Sequence, residues 1–276
     1  MNINMPMKTN VSLFRIIFAV IFLIILSFTV FAQENDSIVP IKGNPEEVLR
    51  KIKIKSITRN GLNFWQDDFF GHWAGIDLGF NAFLNVDYSN YDSKFMKNNV
   101  LRSNSFYINL IQQNIGIQRS RNTVGIVTGL GVQFQNYRLD KNTTIERQAD
   151  GVVVPKTLYY NDNQRSKLSL NYITAPVLIE FQIPINHYEN RLYFSGGIFF
   201  GYRISSHTKI IYRDLKKEKL KAPDTFSIPD FKYGVMARTG YRWLNLFAIY
   251  DLRTFFKPDL GPELTPFSFG ITLLRF

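Results

Sequence analysis

The chain has 276 residues, contains no cysteine and carries a formal net charge of +11 at pH 7. The absence of cysteine excludes a disulfide framework, a thiolate metal site and a thiol nucleophile. Aromatic residues make up 15% of the chain, but the mean hydropathy of −0.10 excludes a bundle of membrane-spanning helices. The basic residues are spread over turns and loops rather than gathered on one face, which argues against nucleic-acid binding.

Residues 1–32 have the features of a secretory signal peptide. Lys8 and Arg15 provide a positive n-region, residues 16–30 are almost purely apolar, and Ala32 ends a cleavage site with small residues. An uncleaved anchor is the alternative, but the apolar stretch is shorter than the about 20 residues of a helical membrane span. Cleavage near Ala32 removes both basic residues and lowers the net charge from +11 to +9.

Residues 33–68 are polar and mixed, and we expect them to form a periplasmic N-terminal extension. They contain the turn sequence Gly-Asn-Pro at 43–45 and a basic run with alternating lysine and isoleucine at 50–55. A solvated strand edge explains such an alternation. Contact with anionic lipid or with a protein partner is the functional alternative.

From residue 73 onwards the chain is a series of long segments in which apolar and polar side chains alternate. The clearest is 123–137, where Val124 and Ile126 begin an apolar parity and Gly125 begins a small, polar one. Successive side chains of a strand point to opposite faces, so each segment predicts a strand with one apolar face. Eight such strands are predicted, at 73–88, 104–118, 123–137, 167–183, 192–211, 231–241, 246–256 and 266–276.

The connections between these segments alternate in length. Those after the first, third, fifth and seventh segments are long, at 89–103, 139–166, 212–230 and 257–265. Long outer loops and short periplasmic turns are typical of bacterial outer-membrane barrels. We therefore predict that residues 69–276 form an all-β fold, an eight-stranded, antiparallel, up-and-down transmembrane β-barrel of outer-membrane type. The tryptophans at 65, 73 and 243 are expected in its interfacial girdles.

A barrel in hydrocarbon has no open sheet edge, so the last strand is expected to pair with the first. With eight strands, the lumen is only just wide enough to be filled by side chains. A charge network is expected inside it, formed by Asp77, Glu180, Arg203, Arg238, Asp251 and Arg253. The sequence thus predicts a closed lumen rather than an open channel.

Two segments contain an apparent change of phase. In 104–118 the change falls at Gln112 and Gln113, and in 167–183 it falls near Pro176. Proline removes a ladder donor and is found mainly at edges or bulges. A β-bulge is therefore expected at each position.

Three stretches carry a family resemblance. The sequence GHWAGIDLGFN at 71–81 resembles the first strand of the PorT-like outer-membrane β-barrel family common in Bacteroidetes. NYITAPVL at 171–178 resembles its fourth strand, with Thr174 where an acid is usual. Phe276 is similar to the terminal aromatic residue read by the barrel-assembly machinery, although its parity opposes that of Phe267 unless a bulge intervenes. Because some relatives are implied in type IX secretion, the resemblance adds an accessory role in protein export as an alternative function.

Catalytic and metal-binding signals are weak. No HExxH, GxSxG or P-loop motif is present. The best catalytic candidates are Ser205 and His207, which share a strand face and would serve a lipid A-modifying barrel enzyme. Because no third partner is evident, we expect no enzymatic activity. The three histidines are scattered, so neither a metal nor another cofactor is expected.

A lysine cluster marks the third outer loop, formed by Lys216, Lys217, Lys219 and Lys221. A solvated loop explains it, and contact with lipopolysaccharide phosphates is the functional alternative. The expected partners are outer-membrane lipid and lipopolysaccharide, the barrel-assembly machinery through Phe276, and envelope or secretion proteins. Together these features predict a structural or interaction role in the outer membrane of a Gram-negative cell.

Overall fold

The computed structural model describes residues 69–91, 93–118, 122–139, 142–159, 164–185, 190–213 and 217–275. The predicted signal peptide and N-terminal extension lie outside these ranges, as do Trp65, Lys216 and Phe276. A search of the described ranges for a helix of the length and apolarity needed to cross a membrane found no candidate.

The described residues contain eleven strands and one 3-10 helix. The strands are β1 (Gly75–Asp87), β2 (Asn104–Gly116), β3 (Val124–Arg138), β4 (Thr143–Arg147), β5 (Val153–Thr157), β6 (Arg165–Ile185), β7 (Asn190–Arg213), β8 (Lys217–Pro223), β9 (Phe231–Tyr241), β10 (Leu244–Asp251) and β11 (Glu263–Arg275). The 3-10 helix is Val100–Arg102, in the connection between β1 and β2.

Within the described ranges, eight strands pair antiparallel into a closed ring. Their order is β6, β3, β2, β1, β11, β10, β9, β7, and β7 pairs back with β6. The first and last strands pair from Gly75 opposite Arg275 to Asp87 opposite Glu263. The predicted all-β, eight-stranded antiparallel ring and its closure are thus confirmed.

Three elements differ from the predicted segments. The connection 139–166 contains the β4–β5 hairpin, and β8 pairs with the outer part of β7 beyond the ring. Strand β10 ends at Asp251 rather than at residue 256. Phe255 and Phe256 leave the sheet because they are buried in an apolar cluster inside the long-connection end of the ring.

The alternation of side chains follows the predicted parities. Asp77 is 1% exposed and faces the interior, whereas the adjacent Leu78 is 38% exposed on the outer face. The same contrast separates buried Gln133 from exposed Leu130 in β3. Apolar side chains outside and polar side chains inside are the reverse of a soluble sheet and typical of a barrel in lipid.

A bulge in β2 is confirmed, but it lies nearer the start of the strand than predicted. The register with β3 shifts between Asn109 and Ile111, before Gln112 and Gln113. A further shift in β11, between the residues opposite Ile76 and Asp77, lies just before the chain terminus. Such a bulge was the condition under which the parity of Phe276 would agree with that of Phe267, but Phe276 itself lies outside the described residues.

The bulge expected near Pro176 was a wrong prediction. Strand β6 pairs with β3 without a register shift, and the nearby shift lies in β7, opposite Asn171 and Tyr172. The apparent change of phase arises because β6 has apolar residues on both faces. Leu168 faces the apolar cluster inside the ring, whereas Val177, nearer the short connections, faces outward.

Two glycines give a direct test of this inside–outside arrangement. A Cβ on Gly129 would lie 2.1 Å from the carbonyl oxygen of Ile111 and 2.7 Å from Nε1 of Trp73, whereas a Cβ on Gly196 would meet no atom within 4 Å. We expect Gly129→Val to destabilise the protein by about 1–3 kcal/mol through overpacking.

Gly196→Val is the matched control, and we expect it to leave stability unchanged or raise it, because valine suits an exposed strand position in lipid. Urea unfolding in lipid vesicles measures both variants. Equal destabilisation by the two substitutions would contradict the assigned faces.

Candidate functional site: the interior of the ring

The segment 69–74, which leads into β1, lies inside the ring at its short-connection end. Phe69 and Trp73 are 0% and 1% exposed. A Cβ on Gly125 would lie 2.4 Å from the Phe69 ring, so the glycine leaves the space that this ring fills. We call residues 69–74 the entry segment.

Two glutamine side chains supply the hydrogen bonds to the entry segment that a neighbouring strand would otherwise make. The Gln112 carbonyl oxygen accepts hydrogen bonds from the backbone N–H groups of Trp73, at 2.8 Å, and Ala74, at 2.5 Å. The Gln182 amide donates to the carbonyl oxygen of Phe70 at 2.5 Å. Buried backbone groups need such partners, so these amides make it possible for a non-strand segment to enter the ring.

Glu180 anchors the same segment and is itself 1% exposed. Its carboxylate accepts hydrogen bonds from the backbone N–H of His72, at 3.1 Å, and from Ser195 Oγ, at 2.8 Å. His72 Nδ1 lies 2.5 Å from Glu180 Oε1, and its ring stacks on Tyr193 with centroids 4.1 Å apart. The buried acid is therefore satisfied by several partners rather than by a single cation.

An ion pair between Asp77 and Arg238 crosses the middle of the interior. The guanidinium makes two hydrogen bonds to the carboxylate, at 2.8 and 3.0 Å, and both side chains are 2% exposed. Thr272 Oγ1 and Asn109 Nδ2 also donate to Asp77, at 2.6 and 2.9 Å. Arg238 lies over the Trp73 ring, 5.4 Å from its centroid. Bidentate pairing with further hydrogen bonds is the geometry that compensates buried charge best.

A second buried pair joins Lys232 and Asp251 nearer the long connections. Lys232 Nζ lies 3.2 Å from Asp251 Oδ2 and 4.4 Å from the centroid of the Tyr172 ring. Tyr172 belongs to the apolar cluster that fills the long-connection end. The members of this cluster are Phe95, Met96, Tyr137, Leu139, Ile145, Val153, Leu168, Leu170, Tyr172, Phe226, Ile228, Phe255, Phe256 and Leu264. The pair therefore lies directly beneath this apolar layer.

The six charged residues predicted for the lumen do not form one network. Asp77 and Arg238 contact each other, but Glu180 and Asp251 take other partners. Arg203 is 9% exposed and forms an ion pair with Asp230 in the connection after β8.

Arg253 does not occupy the inward-facing strand position that was predicted for it. Because β10 ends at Asp251, residue 253 lies in the following connection, where its guanidinium donates to the carbonyl oxygen of Phe231 at 2.9 Å. The prediction extended the strand parity beyond the point at which the strand ends.

Sequence reasoning missed Lys232, and it placed His72 and Trp73 at the membrane interface rather than in the interior. Lys232 shares the inward parity of Gly234 and Arg238, so extending that parity by one position would have identified it. The first strand was predicted to begin at residue 73, but β1 begins at Gly75, so His72 and Trp73 lie in the entry segment before it. Trp73 lies in the interior instead of an interfacial girdle, whereas Trp243 is 83% exposed in the β9–β10 turn.

Ser205 and His207 share one face of β7, as predicted, and the register shift between Arg203 and Ser205 makes it the outer face, but they do not form a hydrogen-bonded pair. Ser205 Oγ accepts a hydrogen bond from Asn171 Nδ2 at 2.9 Å. Ser206 faces the interior, where Arg203 Nη1 donates to it at 2.6 Å. Across the described residues no cluster of histidine and acidic side chains suitable for a metal ion occurs.

The predicted lysine cluster falls on β8. Lys217 begins the strand, and Lys219 and Lys221 are exposed on it. Lys209 of β7 lies directly opposite Lys221.

Replacing Asp77 tests the central pair. Asp77→Asn leaves the Arg238 guanidinium buried without a counter-charge, and we expect it to lower the free energy of unfolding by about 3 kcal/mol. Urea unfolding in lipid vesicles, followed by tryptophan fluorescence, measures the change. Arg253→Gln is the control and should shift stability by less than about 0.5 kcal/mol. Asp77→Asn with the stability of the wild-type protein would contradict the assigned role.

A family model for outer membrane protein beta-barrel domains matches residues 64–257, more than two thirds of the chain. The match includes the entry segment and both buried ion pairs. No curated protein and no solved structure matches the chain. The closed ring, its apolar outer face and this match agree, and the chain belongs to the outer membrane protein beta-barrel domain family.

Proposed function

We propose that this protein is a sealed, non-catalytic barrel that spans the outer membrane and serves as a structural or interaction platform of the cell envelope. The family supports an outer-membrane location, and the apolar outer face supports contact with acyl chains. The observation that carries the proposal is the filled interior of the ring.

Three layers fill this interior. The entry segment occupies the short-connection end, the Asp77–Arg238 pair crosses the middle, and the apolar cluster over Lys232 and Asp251 occupies the long-connection end. A hydrated ion passing through would have to separate at least one buried ion pair, which costs several kcal/mol per charge left unpaired. This cost supports a barrier rather than a pore.

The orientation follows from the lengths of the connections. With short turns in the periplasm and long loops outside, the entry segment lies on the periplasmic side, next to the proposed extension of residues 33–68. Signal-peptide cleavage near Ala32 and recognition of Phe276 by the assembly machinery belong to the same proposal. A PorT-like role in export rests on the sequence resemblance alone.

Lipid modification by Ser205 and His207 is the less favoured function. Both side chains lie on the lipid-facing side of β7, but Ser205 accepts its hydrogen bond from Asn171. Among the described residues no side chain donates to or accepts from His207, so no group orients it as a general base.

Conductance in planar lipid bilayers tests the seal. We expect the full-length mature protein to give no stable conductance steps, because the Asp77–Arg238 layer blocks the path. Phe69→Ala/Trp73→Ala, which empties part of the entry segment, should also remain non-conducting because the middle layer persists.

An open porin, inserted at the same protein-to-lipid ratio, shows that the assay detects pores. Protease protection of the wild-type protein in proteoliposomes, which are then fused to the planar bilayer, confirms that the protein is inserted. Steady conductance steps from inserted wild-type protein would overturn the sealed-barrel proposal.

A further inference from the structure

Four basic residues form a row across neighbouring strands on the outer face. Arg138 of β3 is opposite Lys167 of β6, Lys167 is opposite Lys209 of β7, and Lys209 is opposite Lys221 of β8. Directly opposite residues in antiparallel strands point to the same side of a sheet. Neighbouring strands lie about 4.8 Å apart, so the basic row spans about 14 Å.

The basic row lies a short distance beyond the apolar outer face. Phe106 and Phe134 are opposite each other, with ring centroids 6.4 Å apart, and mark the end of that face. The four residues from Phe134 to Arg138 correspond to about 13 Å along the strand, and to less along the membrane normal because barrel strands tilt.

Uncharged polar side chains occupy the intervening row, formed by Asn104, Asn136, Ser169 and His207. The order from apolar through polar to basic matches the order from hydrocarbon through interface to charged headgroup in a lipid layer.

The positive charges of the row have no acidic partners among the described residues. In the described part of the chain, none of the four side chains takes part in an ion pair, and Lys167 donates instead to Asn136 Oδ1 at 2.9 Å. Like charges directly opposite each other destabilise a sheet. Repulsion within the row therefore destabilises the folded protein when no ligand is bound, and it favours binding of an anion.

The electrostatic environment agrees with this geometry. Burial, and then the neighbouring Lys209, lower the pKa of the Lys167 ammonium. Burial also lowers the pKa of His207, and Lys221, Lys167 and Lys209 lower it further. These groups lie beyond the membrane-spanning part of the strands, and they interact electrostatically across the row.

We propose that the basic row of Arg138, Lys167, Lys209 and Lys221 binds the phosphate groups of a phosphorylated glycolipid of the outer leaflet, such as lipopolysaccharide. The inference rests on the proposed function, because it needs the long connections on the outer side. Lysine and arginine supply charge-assisted hydrogen bonds to phosphate oxygens, and the apolar face below receives acyl chains of the same molecule.

The row relocates the lipid contact expected from the sequence. Of the lysines in the predicted cluster, Lys221 belongs to the row, and Lys219 lies in the next row outward, opposite Ile211. The other members are Lys209 in the adjoining strand β7, and Arg138 and Lys167, which are far from the cluster in sequence. The pairing register of the strands brings these residues side by side, and the sequence alone does not reveal that register.

Native mass spectrometry in detergent tests the proposal with bisphosphorylated lipid A as the probe. We expect Lys209→Gln/Lys221→Gln to weaken binding by about tenfold or more, because each basic residue near a lipid surface contributes about 1 kcal/mol. Lys94→Gln/Lys257→Gln removes two exposed lysines from other long connections and should change binding by less than about twofold.

Thermal unfolding in the same detergent separates binding from a structural role. Lys209 and Lys221 repel each other in the wild-type protein, and the substitutions remove this repulsion. We therefore expect Lys209→Gln/Lys221→Gln to unfold at the wild-type temperature or above it. A variant that both unfolds earlier and loses lipid A would overturn the binding assignment, and Lys167→Gln with unchanged lipid affinity would do the same.

Three further probes identify the ligand. Equal binding of lipid A freed of its phosphates would overturn phosphate recognition. Inorganic phosphate that binds alone with the same dependence on Lys209 and Lys221 would overturn the lipid as the ligand, and so would an acidic polyglutamate peptide that binds as tightly as lipid A. Conductance of the wild-type protein would overturn the sealed barrel without affecting these results.

Discussion

The pairing of the first strand with the last is the constraint on which the rest of this structure depends. In hydrocarbon an unpaired strand edge leaves backbone groups without partners, so the sheet must close on itself. Closure with eight strands fixes the width of the interior, and this width decides what can occupy it. The outer face then meets lipid, which explains why leucine, isoleucine and phenylalanine are exposed there while glycine, glutamine and charged residues are buried.

Charge is arranged in opposite ways inside and outside the ring. In the interior, Asp77 with Arg238 and Lys232 with Asp251 are neutralised as pairs, because an unpaired charge is costly away from water. On the outer face the basic row is left without acidic partners among the described residues. The interior arrangement supports a sealed barrel, and the outer arrangement supports an anionic ligand at the membrane surface.

Strand periodicity made most of the ring predictable, and it failed where periodicity carries no information. The inward positions of Asp77, Glu180 and Arg238 follow from parity alone. The entry segment was not predicted, since Phe69 lies before the predicted strands and Trp73 was assigned to the first strand and to an interfacial girdle. The β4–β5 hairpin and β8 extend beyond the membrane region, where the alternation of a lipid-facing strand is not required. The bulge predicted near Pro176 was wrong because the apolar face of β6 changes along the strand, from the interior side to the lipid side.

Disulfide formation between the first and last strands tests closure most directly. Because the chain contains no native cysteine, only the introduced pair can form a cross-link. Ala82 in β1 is opposite Phe267 in β11, which is opposite Tyr250 in β10. A closed ring predicts that Ala82→Cys/Phe267→Cys oxidises readily in the folded protein, whereas Ala82→Cys/Tyr250→Cys does not. The latter pair is about 10 Å apart across two strand spacings, beyond the reach of a disulfide. Absence of the first cross-link with both thiols intact, or equal cross-linking of the two pairs, would contradict the closed ring.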